Sequence, residues 1–251
     1  MKSYGSFAEI YDELMDDFDY ERWAEYYISL ISRDGKLPKK VCECACGTGS
    51  LTIPIAASGI SLIGADLSED MLRVAADKAR KAGQQIRFIC QDMRELTLPS
   101  RVDAVLCTCD GLNYLTEPDG AARFFHAANA ALKPGGRLAF DISSAYKLEK
   151  VLGSAFYGEE RDDVAYLWSN SWDAAARTVT MDLTFFQREA DGRYRRFSEQ
   201  HIQRAYTREE LTKLLTEAGF EDIRVYADMT YEEPTDETLR LHFIANKRSR
   251  P

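Results

Sequence analysis

Val41-Cys-Glu-Cys-Ala-Cys-Gly-Thr-Gly-Ser50 decides the fold that we predict for this chain. The stretch predicts a buried strand that ends in a glycine-containing turn and continues into a helix at Leu51. Gly47 and Gly49 remove side chains where the backbone must bend sharply or let a ligand approach the main chain. The next apolar run ends at Asp66, 19 residues after Gly47, which is about the spacing at which an acid meets a nucleotide ribose in a doubly wound sheet. We therefore expect a ligand that contains a nucleoside.

The glycine pattern argues against a ligand with phosphate groups. A dinucleotide fingerprint needs Gly-x-Gly-x-x-Gly, whereas the frame here is Ala45-x-Gly47-x-Gly49 with serine next. A phosphate-binding loop would need a lysine after the last glycine, and none accompanies these glycines. Glu43 inside the strand is also a poor neighbour for a pyrophosphate. A ligand with a ribose, an adenine and an ammonium group fits this loop better.

Four short motifs follow one another along the first half of the chain. They are Glu43-x-Ala45-Cys46-Gly47-Thr48-Gly49, Asp66-Leu67-Ser68-x-x-Met71-Leu72, Gln91-Asp92-Met93 and Leu132-Lys-Pro-Gly-Gly-Arg-Leu138. In this order and spacing they resemble the motifs of class I S-adenosylmethionine-dependent methyltransferases. One departure is Ala45, where that family usually has glycine. Alanine is compatible with a close backbone contact unless φ must be positive at this position.

The resemblance implies both a fold and a cofactor. The expected fold class is α/β, a doubly wound Rossmann-like sheet of seven strands whose last two, Phe220–Tyr226 and Leu239–Asn246, pair antiparallel. The expected cofactor is S-adenosyl-L-methionine. Asp66 would accept hydrogen bonds from both ribose hydroxyls and Asp92 would accept from the adenine amine, with helix N-capping as the alternative role of both. The other implied contacts are Leu67, Met71, Gln91 and Met93 around the adenine, and Ala45, Cys46, Gly47 and Cys109 around the methionine portion.

The N-terminal segment shows a second resemblance. Tyr11-Asp12 and, after six residues, Asp19-Tyr20 with Trp23 following resemble small-molecule methyltransferases that act on amines, including amino-sugar and glycine N-methyltransferase relatives. In those enzymes the corresponding helices close over the cofactor. Tyr11, Tyr20 and Trp23 are therefore cofactor candidates, because an aromatic face attracts a sulfonium through cation–π interaction. The helical spacing of the apolar residues from Phe7 to Phe18 favours ordinary packing as the alternative.

Residues 143–206 interrupt the alternation of strands and helices. Three segments there have strand character, and Ala190-Asp-Gly192 between the last two predicts a hairpin. We predict an inserted antiparallel three-stranded subdomain at the carboxyl edge of the sheet, where it would roof the substrate pocket. A sheet that forms a homodimer, or a purely structural one, is the alternative. The predicted organisation is a helical cap over 1–35, a methyltransferase domain over 36–142 and 207–251, and an inserted β lid over 143–206.

Substrate candidates lie next to the expected position of the transferred methyl group. Asp110, Asn113 and Tyr114 follow the fourth strand, which faces this methyl group in related folds. His201 and Arg204 belong to the strand that returns from the predicted roof. His201 is a weak candidate for a base or a hydrogen-bond partner, and the catalytic residues otherwise stay unknown. Arg204 could pair with a substrate carboxylate, or equally with Glu199 or Asp141.

Composition and charge exclude several classes of protein. The chain has 251 residues, of which 45% are hydrophobic, enough for one large domain with a subdomain. No apolar run approaches the ~20 residues that span a bilayer, and the N-terminus lacks a signal-peptide core, so we expect a cytoplasmic protein without a membrane partner. A net charge of −9 disfavours nucleic acid as a partner. Cys42, Cys44 and Cys46 alternate along a strand instead of showing zinc-ligand spacing, so no metal is expected.

The predicted function is methyl transfer from S-adenosyl-L-methionine to a nitrogen or oxygen atom of a small-molecule acceptor by in-line displacement. Because the cofactor contains the reactive group, the protein mainly positions and desolvates the reactants. One alternative is the same chemistry on RNA or protein, which predicts an electropositive funnel at the roof. The other is a non-catalytic adenosyl-binding module or an aminopropyl transferase, which requires acids that bind a polyamine.

Overall fold

The computed structural model describes residues 11, 12, 14–16 and 18–249. The strands in this part of the chain are β1 (Lys40–Cys44), β2 (Ser61–Asp66), β3 (Arg87–Cys90), β4 (Val102–Cys107), β5 (Leu132–Ser143), β6 (Phe156–Glu160), β7 (Val164–Asp173), β8 (Thr178–Arg188), β9 (Tyr194–Arg204), β10 (Phe220–Ala227) and β11 (Arg240–Lys247). The α-helices are α1 (Tyr20–Ile31), α2 (Thr52–Ala57), α3 (Glu69–Lys81), α4 (Gly120–Ala131) and α5 (Arg208–Glu217). Short 3₁₀-helices occur at Met93–Glu95 and Gly111–Tyr114, and a π-helix at Lys147–Leu152.

The larger sheet has seven strands in the order β10-β11-β5-β4-β1-β2-β3. Strands β1 to β5 pair in parallel, whereas β11 runs antiparallel to both β5 and β10. The chain leaves β1 for β2 on one side and returns to β4 on the other, so a crevice opens at the carboxyl ends of β1 and β4. The predicted α/β fold, with its doubly wound seven-stranded sheet and antiparallel final pair, is confirmed.

Strand β1 lies at the centre of this sheet because its side chains suit burial on both faces. Val41 packs in one cluster with Tyr27 of α1, and Cys42 and Cys44 pack in another with Phe124 of α4. All five of these side chains are 0% exposed. A parallel strand covered by helices on both faces is expected to be continuously apolar. The strand therefore delivers the glycine loop that follows it to a fixed position at the sheet edge.

Helix α3 begins directly beside the carboxyl end of β2. The Ser68 hydroxyl accepts a hydrogen bond from the Met71 amide at 3.2 Å and so caps the helix. Acidic residues in the first turn and basic residues in the last turn complement the helix dipole. These residues are Glu69 and Asp70, then Lys78, Arg80 and Lys81. The capped start of α3 is thereby held next to Asp66 at the end of β2.

A second sheet contains β6, β7, β8 and β9 in that order, all antiparallel. It has one strand more than we predicted. The additional strand, Phe156–Glu160, pairs only with β7 and is mostly exposed, and it includes Gly158. An exposed edge strand of this kind lacks the alternation of buried and exposed residues by which strands are recognised in a sequence. The predicted hairpin between β8 and β9 is present, with Gly192 at a φ of +83°.

The second sheet lies against the start of α3. Val164 of β7 and Phe185 of β8 form a buried cluster with Met71. These contacts place the sheet over the carboxyl edge of the larger sheet, which is the position expected of a roof. The boundaries that we assigned to the three predicted domains stay a prediction.

Helix α1 closes one side of the larger sheet. Asp19 caps it by accepting a hydrogen bond from the Arg22 amide at 3.0 Å, and Tyr27 is fully buried. The predicted helical cap covers residues 1–35. Residues 1–10, which include Phe7, and residues 13 and 17 lie outside the described residues. No helix among the described residues is long and apolar enough to cross a membrane.

Candidate active site

The loop after β1 turns through three left-handed residues, with φ of +53° at Ala45, +52° at Gly47 and +73° at Gly49. A Cβ atom on Gly47 would meet nothing within 4 Å, whereas one on Gly49 would lie 3.1 Å from the Cβ of Ala75 in α3. Gly49 therefore permits close packing of the helix, and Gly47 leaves room beside the main chain for a ligand. Ala45 adopts the positive φ at which alanine is disfavoured by roughly 1 kcal/mol. The departure from the family motif thus occurs at a position where glycine would be less strained.

Asp66 connects the glycine loop to the end of β2. Its carboxylate accepts hydrogen bonds from the Gly47 amide at 2.8 Å and from the Ser68 amide at 2.9 Å. Burial raises the pKa of Asp66, and the backbone amides oppose this rise. A carboxylate has about four acceptor positions, so Asp66 can still accept from a diol. The side chain of Leu67 beside it is 65% exposed and offers an apolar surface for a flat base.

The third motif reaches the same edge, since the Gln91 amide donates to the Asp66 carbonyl at 2.9 Å. The Asp92 carboxylate accepts from the Arg94 amide at 2.8 Å and from its guanidinium, which lowers the pKa of Asp92. Asp92 thus has the N-capping role that we considered as an alternative, and its contact with adenine stays a prediction. Met93 is buried with its sulfur 3.8 Å from the Cys107 thiol, and the Gln91 side chain accepts from the Thr97 amide.

Two cofactor candidates, Met71 and Trp23, are buried against other residues of the protein. Met71 is 3% exposed and lies under the second sheet. Trp23 is 8% exposed, and the guanidinium carbon of Arg240 lies 5.2 Å from the centre of its ring. The guanidinium of Arg240 therefore lies where we expected the sulfonium of the cofactor to contact the Trp23 ring. Contact of Met71 or Trp23 with the cofactor stays a prediction.

The N-terminal segment is tied to the glycine loop through Asp12. One carboxylate oxygen accepts from the hydroxyls of Thr48 at 2.7 Å and Ser50 at 3.0 Å, and the other pairs with Lys78 of α3 at 2.5 Å. The Tyr20 hydroxyl also bonds to Ser50. This network, which we call the Asp12 latch, holds the segment around residue 12 over the start of the loop.

Replacing Asp12 with Ala should weaken the affinity for S-adenosylhomocysteine by roughly tenfold, because the latch no longer holds the glycine loop. Calorimetric titration of the two proteins measures this change. Asp16→Ala is the matched control, since Asp16 pairs at the surface with Arg161, in the connection between β6 and β7, at 2.8 Å. Equal affinities of the Asp12 and Asp16 variants would show that the latch does not support the loop.

The side chains of Tyr11 and Tyr20 bring the N-terminal segment to the residues that follow β4. Burial raises the pKa of Tyr11, and the electrostatic neighbours that raise it further are Tyr20, Cys109, Tyr114 and Asp110. Five residues that we predicted, two in the N-terminal segment and three after β4, therefore lie near one another at the carboxyl edge. We call the region between them the edge cleft.

The backbone after β4 is held by a buried carboxylate that we did not predict as a site residue. Cys109 and Asp110 have φ of +54° and +53°. Asp141, which is 0% exposed, accepts from the Cys109 amide at 2.8 Å and from the Asp110 amide at 2.9 Å. Because Asp141 occupies the Cys109 amide, contact of Cys109 with the methionine portion would require its carbonyl or its thiol.

Arg240 completes this arrangement and was also absent from our predicted site. Its guanidinium pairs with Asp110 at 2.8 Å and with Asp141. Burial alone would raise the pKa of Asp141, but Arg240 holds it below its usual range. Strand β11 runs antiparallel, so its first residue lies at the edge where the parallel strands end. That position was the available signal in the sequence.

The second sheet contributes His201 and Gln203 to the same edge. His201 is 6% exposed. Its ring lies edge-on to that of Tyr114, with 5.9 Å between the two ring centres. Burial lowers the pKa of His201 to about 4, so its imidazole is neutral at physiological pH. The side-chain amide of Gln203 donates to the Asp110 carboxylate at 2.7 Å. Tyr114 and His201, which we predicted separately as substrate candidates, therefore lie side by side.

The remaining two substrate candidates have partners within the chain. The Asn113 side chain donates to the carbonyls of Ser143 at 3.0 Å and Arg204 at 2.9 Å, and accepts from the Ser143 amide. Arg204 pairs with Glu210 at 2.5 Å and lies over the ring of Tyr206. Asn113 fastens the loop after β4 to β5 and β9, and substrate roles for Asn113 and Arg204 stay predictions.

Glu43 is a buried acid that has no basic partner in the described part of the chain. Its two oxygens accept hydrogen bonds from the hydroxyls of Thr52 at 2.5 Å and Thr108 at 2.8 Å. Burial raises its pKa from 4.5 to about 7, against the effect of the two threonines. Because the pKa is higher in the folded state, ionisation of Glu43 opposes folding. This cost is absent at pH values below the pKa of Glu43 in the unfolded chain. It grows as the pH rises from that value toward the pKa in the folded protein, and it is complete above about pH 7.

Glu43→Gln is therefore expected to stabilise the protein in a pH-dependent way. The uncharged amide should raise the free energy of unfolding by roughly 2–3 kcal/mol at about pH 8 and change it little at about pH 5. Denaturant unfolding at both pH values measures this difference. Glu25→Gln, on an exposed position of α1, is the control and should have little effect at either pH. If Glu43→Gln changed the free energy of unfolding equally at both pH values, the raised pKa of Glu43 would be contradicted.

The thiols and other metal-binding side chains form no metal site among the described residues. No group of three or more His, Cys, Asp or Glu is arranged to hold an ion there. Cys42, Cys44 and Cys46 are free and buried. Cys42 and Cys44 pack in the core cluster that contains Phe124 of α4, and a Cβ on Gly64 of β2 would come 3.0 Å from the Cys46 sulfur.

Comparison with known proteins agrees with this geometry. A family model described as a methyltransferase domain matches residues 41–136. A protein of Geobacillus sp. (strain WCH70) that is named as a methyltransferase is 36% identical over 98% of this chain and 100% of its own length. The crystal structure of an S-adenosylmethionine-dependent methyltransferase from Clostridium acetobutylicum ATCC 824 matches with a TM-score of 0.88 and 32% identity, covering 98% of this chain and 99% of that one. A glycine/sarcosine N-methyltransferase of Aphanothece halophytica is 27% identical over 96% of this chain and 88% of its own length.

Proposed function

The chain belongs to the class I S-adenosylmethionine-dependent methyltransferases, and we propose that it methylates a nitrogen or oxygen atom of a small-molecule acceptor in the edge cleft. The residues present fit the cofactor. Gly47 leaves open space beside the main chain, and Asp66 and the exposed Leu67 lie next to it at the end of β2. When bound, S-adenosyl-L-methionine supplies an activated methyl group on a sulfonium.

The observation that best supports a small acceptor is the chemistry of the roof. The immediate neighbours of His201 on the same face of β8 and β9 are Val179, Met181, Leu183, Glu199 and Gln203, and none of these five is basic. With the net charge of −9, such a roof does not attract a nucleic acid backbone. A cleft closed by Tyr11, Tyr114 and His201 instead suits a compact acceptor that is surrounded by side chains on several sides.

The side chains of the edge cleft would mainly align the acceptor and exclude water. Alignment of two reactants for in-line displacement can lower a barrier by several kcal/mol. A general base works best with a pKa near the working pH, and the pKa of His201 is about 4. We infer that neutral His201 orients the acceptor by a hydrogen bond, and that an amine acceptor enters already deprotonated. The N-methyltransferase name of the Aphanothece halophytica relative supports a nitrogen acceptor.

Aminopropyl transfer is less compatible with the same cleft. It would need a free carboxylate to bind the ammonium groups of a polyamine. Asp110, the acid next to the edge cleft after β4, already pairs with Arg240 at 2.8 Å and accepts from Gln203 at 2.7 Å. Its charge is therefore balanced within the protein.

Incubation with methyl-labelled S-adenosyl-L-methionine and a metabolite extract tests the proposal. We expect the label to enter the dialysable fraction as an N-methyl or O-methyl compound that NMR can identify. The Asp66→Ala variant is the negative control. Label that enters only RNA or protein would overturn the proposal.

A further inference from the structure

Lys147 follows the carboxyl end of β5 by four residues, at the edge where Arg240 pairs with Ser143, and has no role in the site described so far. It is the first residue of the π-helix that follows β5, and its amide donates to the Ser144 hydroxyl at 3.0 Å. The Gly153 amide donates to the Leu148 carbonyl five residues earlier, at 2.9 Å, as in a π-helix. Such turns are rare and are frequent at functional sites.

Lys147 is half-buried and has no ion-pair partner among the residues that the structure describes. Its electrostatic neighbours are Arg240, Asp110, Asp141 and Asp228, yet no carboxylate of the described residues lies within 4 Å of its nitrogen. Burial, and then repulsion by Arg240, lowers the pKa of Lys147. A half-buried cation of this kind gains stability from any anion that reaches it.

The neighbouring carboxylates are already satisfied by other donors. Asp141 accepts from Tyr27, from two backbone amides and from Arg240. Asp110 accepts from Arg240 and Gln203. These contacts hold both acids without Lys147, so its three N–H groups remain available to a ligand.

We propose that the Lys147 ammonium binds a carboxylate of the methyl acceptor, so that the acceptor is a small amine or hydroxyl compound with an acid group. The inference rests on the proposed small-molecule acceptor. Asp110 and Asp141 contribute negative charge close by, which favours a singly charged carboxylate over a doubly charged phosphate. His201 adds no positive charge at physiological pH, so Lys147 is the element of the cleft that selects the anion.

Titration of sodium acetate into the protein saturated with S-adenosylhomocysteine tests this site, with acetamide as an uncharged probe of the same size. We expect acetate to bind more tightly than acetamide or inorganic phosphate. Lys147→Met and Lys147→Gln should each weaken acetate binding by roughly tenfold or more, and Lys147→Arg should retain it. Lys150→Met is the matched control, because Lys150 is on the same helix but pairs at the surface with Glu149 at 2.6 Å.

The affinity for S-adenosylhomocysteine serves as the second measurement. It should be unchanged in both uncharged variants, which also shows that they fold. Acetate binding that is equal with and without the Lys147 charge would overturn the inference. So would tighter binding of phosphate than of acetate, or a loss of S-adenosylhomocysteine affinity, since the ammonium would then hold the carboxylate of the cofactor itself. Transfer of label to RNA would refute the proposed function but leave the acetate titration as it is, so the two failures are distinguishable.

Discussion

Asp66→Ala is expected to lower the affinity for S-adenosylhomocysteine by roughly a hundredfold or more. The carboxylate would accept from two ribose hydroxyls, and hydrogen bonds to a charged acceptor are each stronger than those between neutral groups. It also holds the Gly47 amide at 2.8 Å and the Ser68 amide at 2.9 Å. The substitution therefore removes the acceptor for the ribose and loosens the loop on which the cofactor would lie. Isothermal titration calorimetry measures the loss.

Asp103→Ala separates these effects from a general loss of structure. The Asp103 carboxylate also accepts backbone hydrogen bonds, from Lys39 at 3.1 Å and Lys40 at 2.9 Å. It does so at the start of β1 and β4, the opposite edge of the sheet. This variant should bind S-adenosylhomocysteine as the unmodified protein does. A matching loss of affinity in both variants would mean that Asp66 acts through stability alone.

Arg240→Met is expected to destabilise the protein by about 3–5 kcal/mol near pH 7. Arg240 pairs with two carboxylates, and Asp141 is 0% exposed. Removing the guanidinium leaves a buried charge without its partner. The free energy of unfolding from denaturant titration measures the cost.

The cost of Arg240→Met should shrink as the pH falls. The pKa of Asp141 is lower in the folded protein than its usual value, so its ion pair stabilises the protein above the unfolded pKa and this contribution is lost as the pH falls through the folded pKa. At low pH Asp141 is protonated in the variant as well, so the difference in stability between the two proteins becomes small. Arg137→Met is the control, because the Arg137 guanidinium donates to the carbonyls of Leu30 and Ser32 and leaves no buried acid behind. A cost for Arg240→Met that does not change with pH would contradict the assigned charges.

The parts of the site that the sequence predicted are those set by local geometry. Gly47 follows one short buried strand and Asp66 ends another, and parallel strands bring such ends to one edge. Tyr11, Tyr20, Cys109, Asp110 and Tyr114 were assigned from separate motifs, and their electrostatic contacts place them around the edge cleft. Their contacts with cofactor and substrate remain predictions.

The parts that the sequence did not predict depend on long-range register. Arg240 reaches the edge because β11 pairs with β5 with Arg240 opposite Ser143. Apart from its position at the start of the last strand, no local pattern distinguishes that arginine from the others in the chain. Cys109 and Asp110 adopt positive φ values that are uncommon outside glycine, because Asp141 accepts both of their amides. Strand β6 was missed because its residues are mostly exposed on both faces.

A crystal structure of the protein with S-adenosylhomocysteine is the most direct test of the site. We predict that the ribose hydroxyls donate to Asp66, that the adenine lies against Leu67, and that the homocysteine portion passes beside Gly47 toward Cys109. A ligand bound elsewhere, with the Asp66 carboxylate still accepting only from Gly47 and Ser68, would contradict the account.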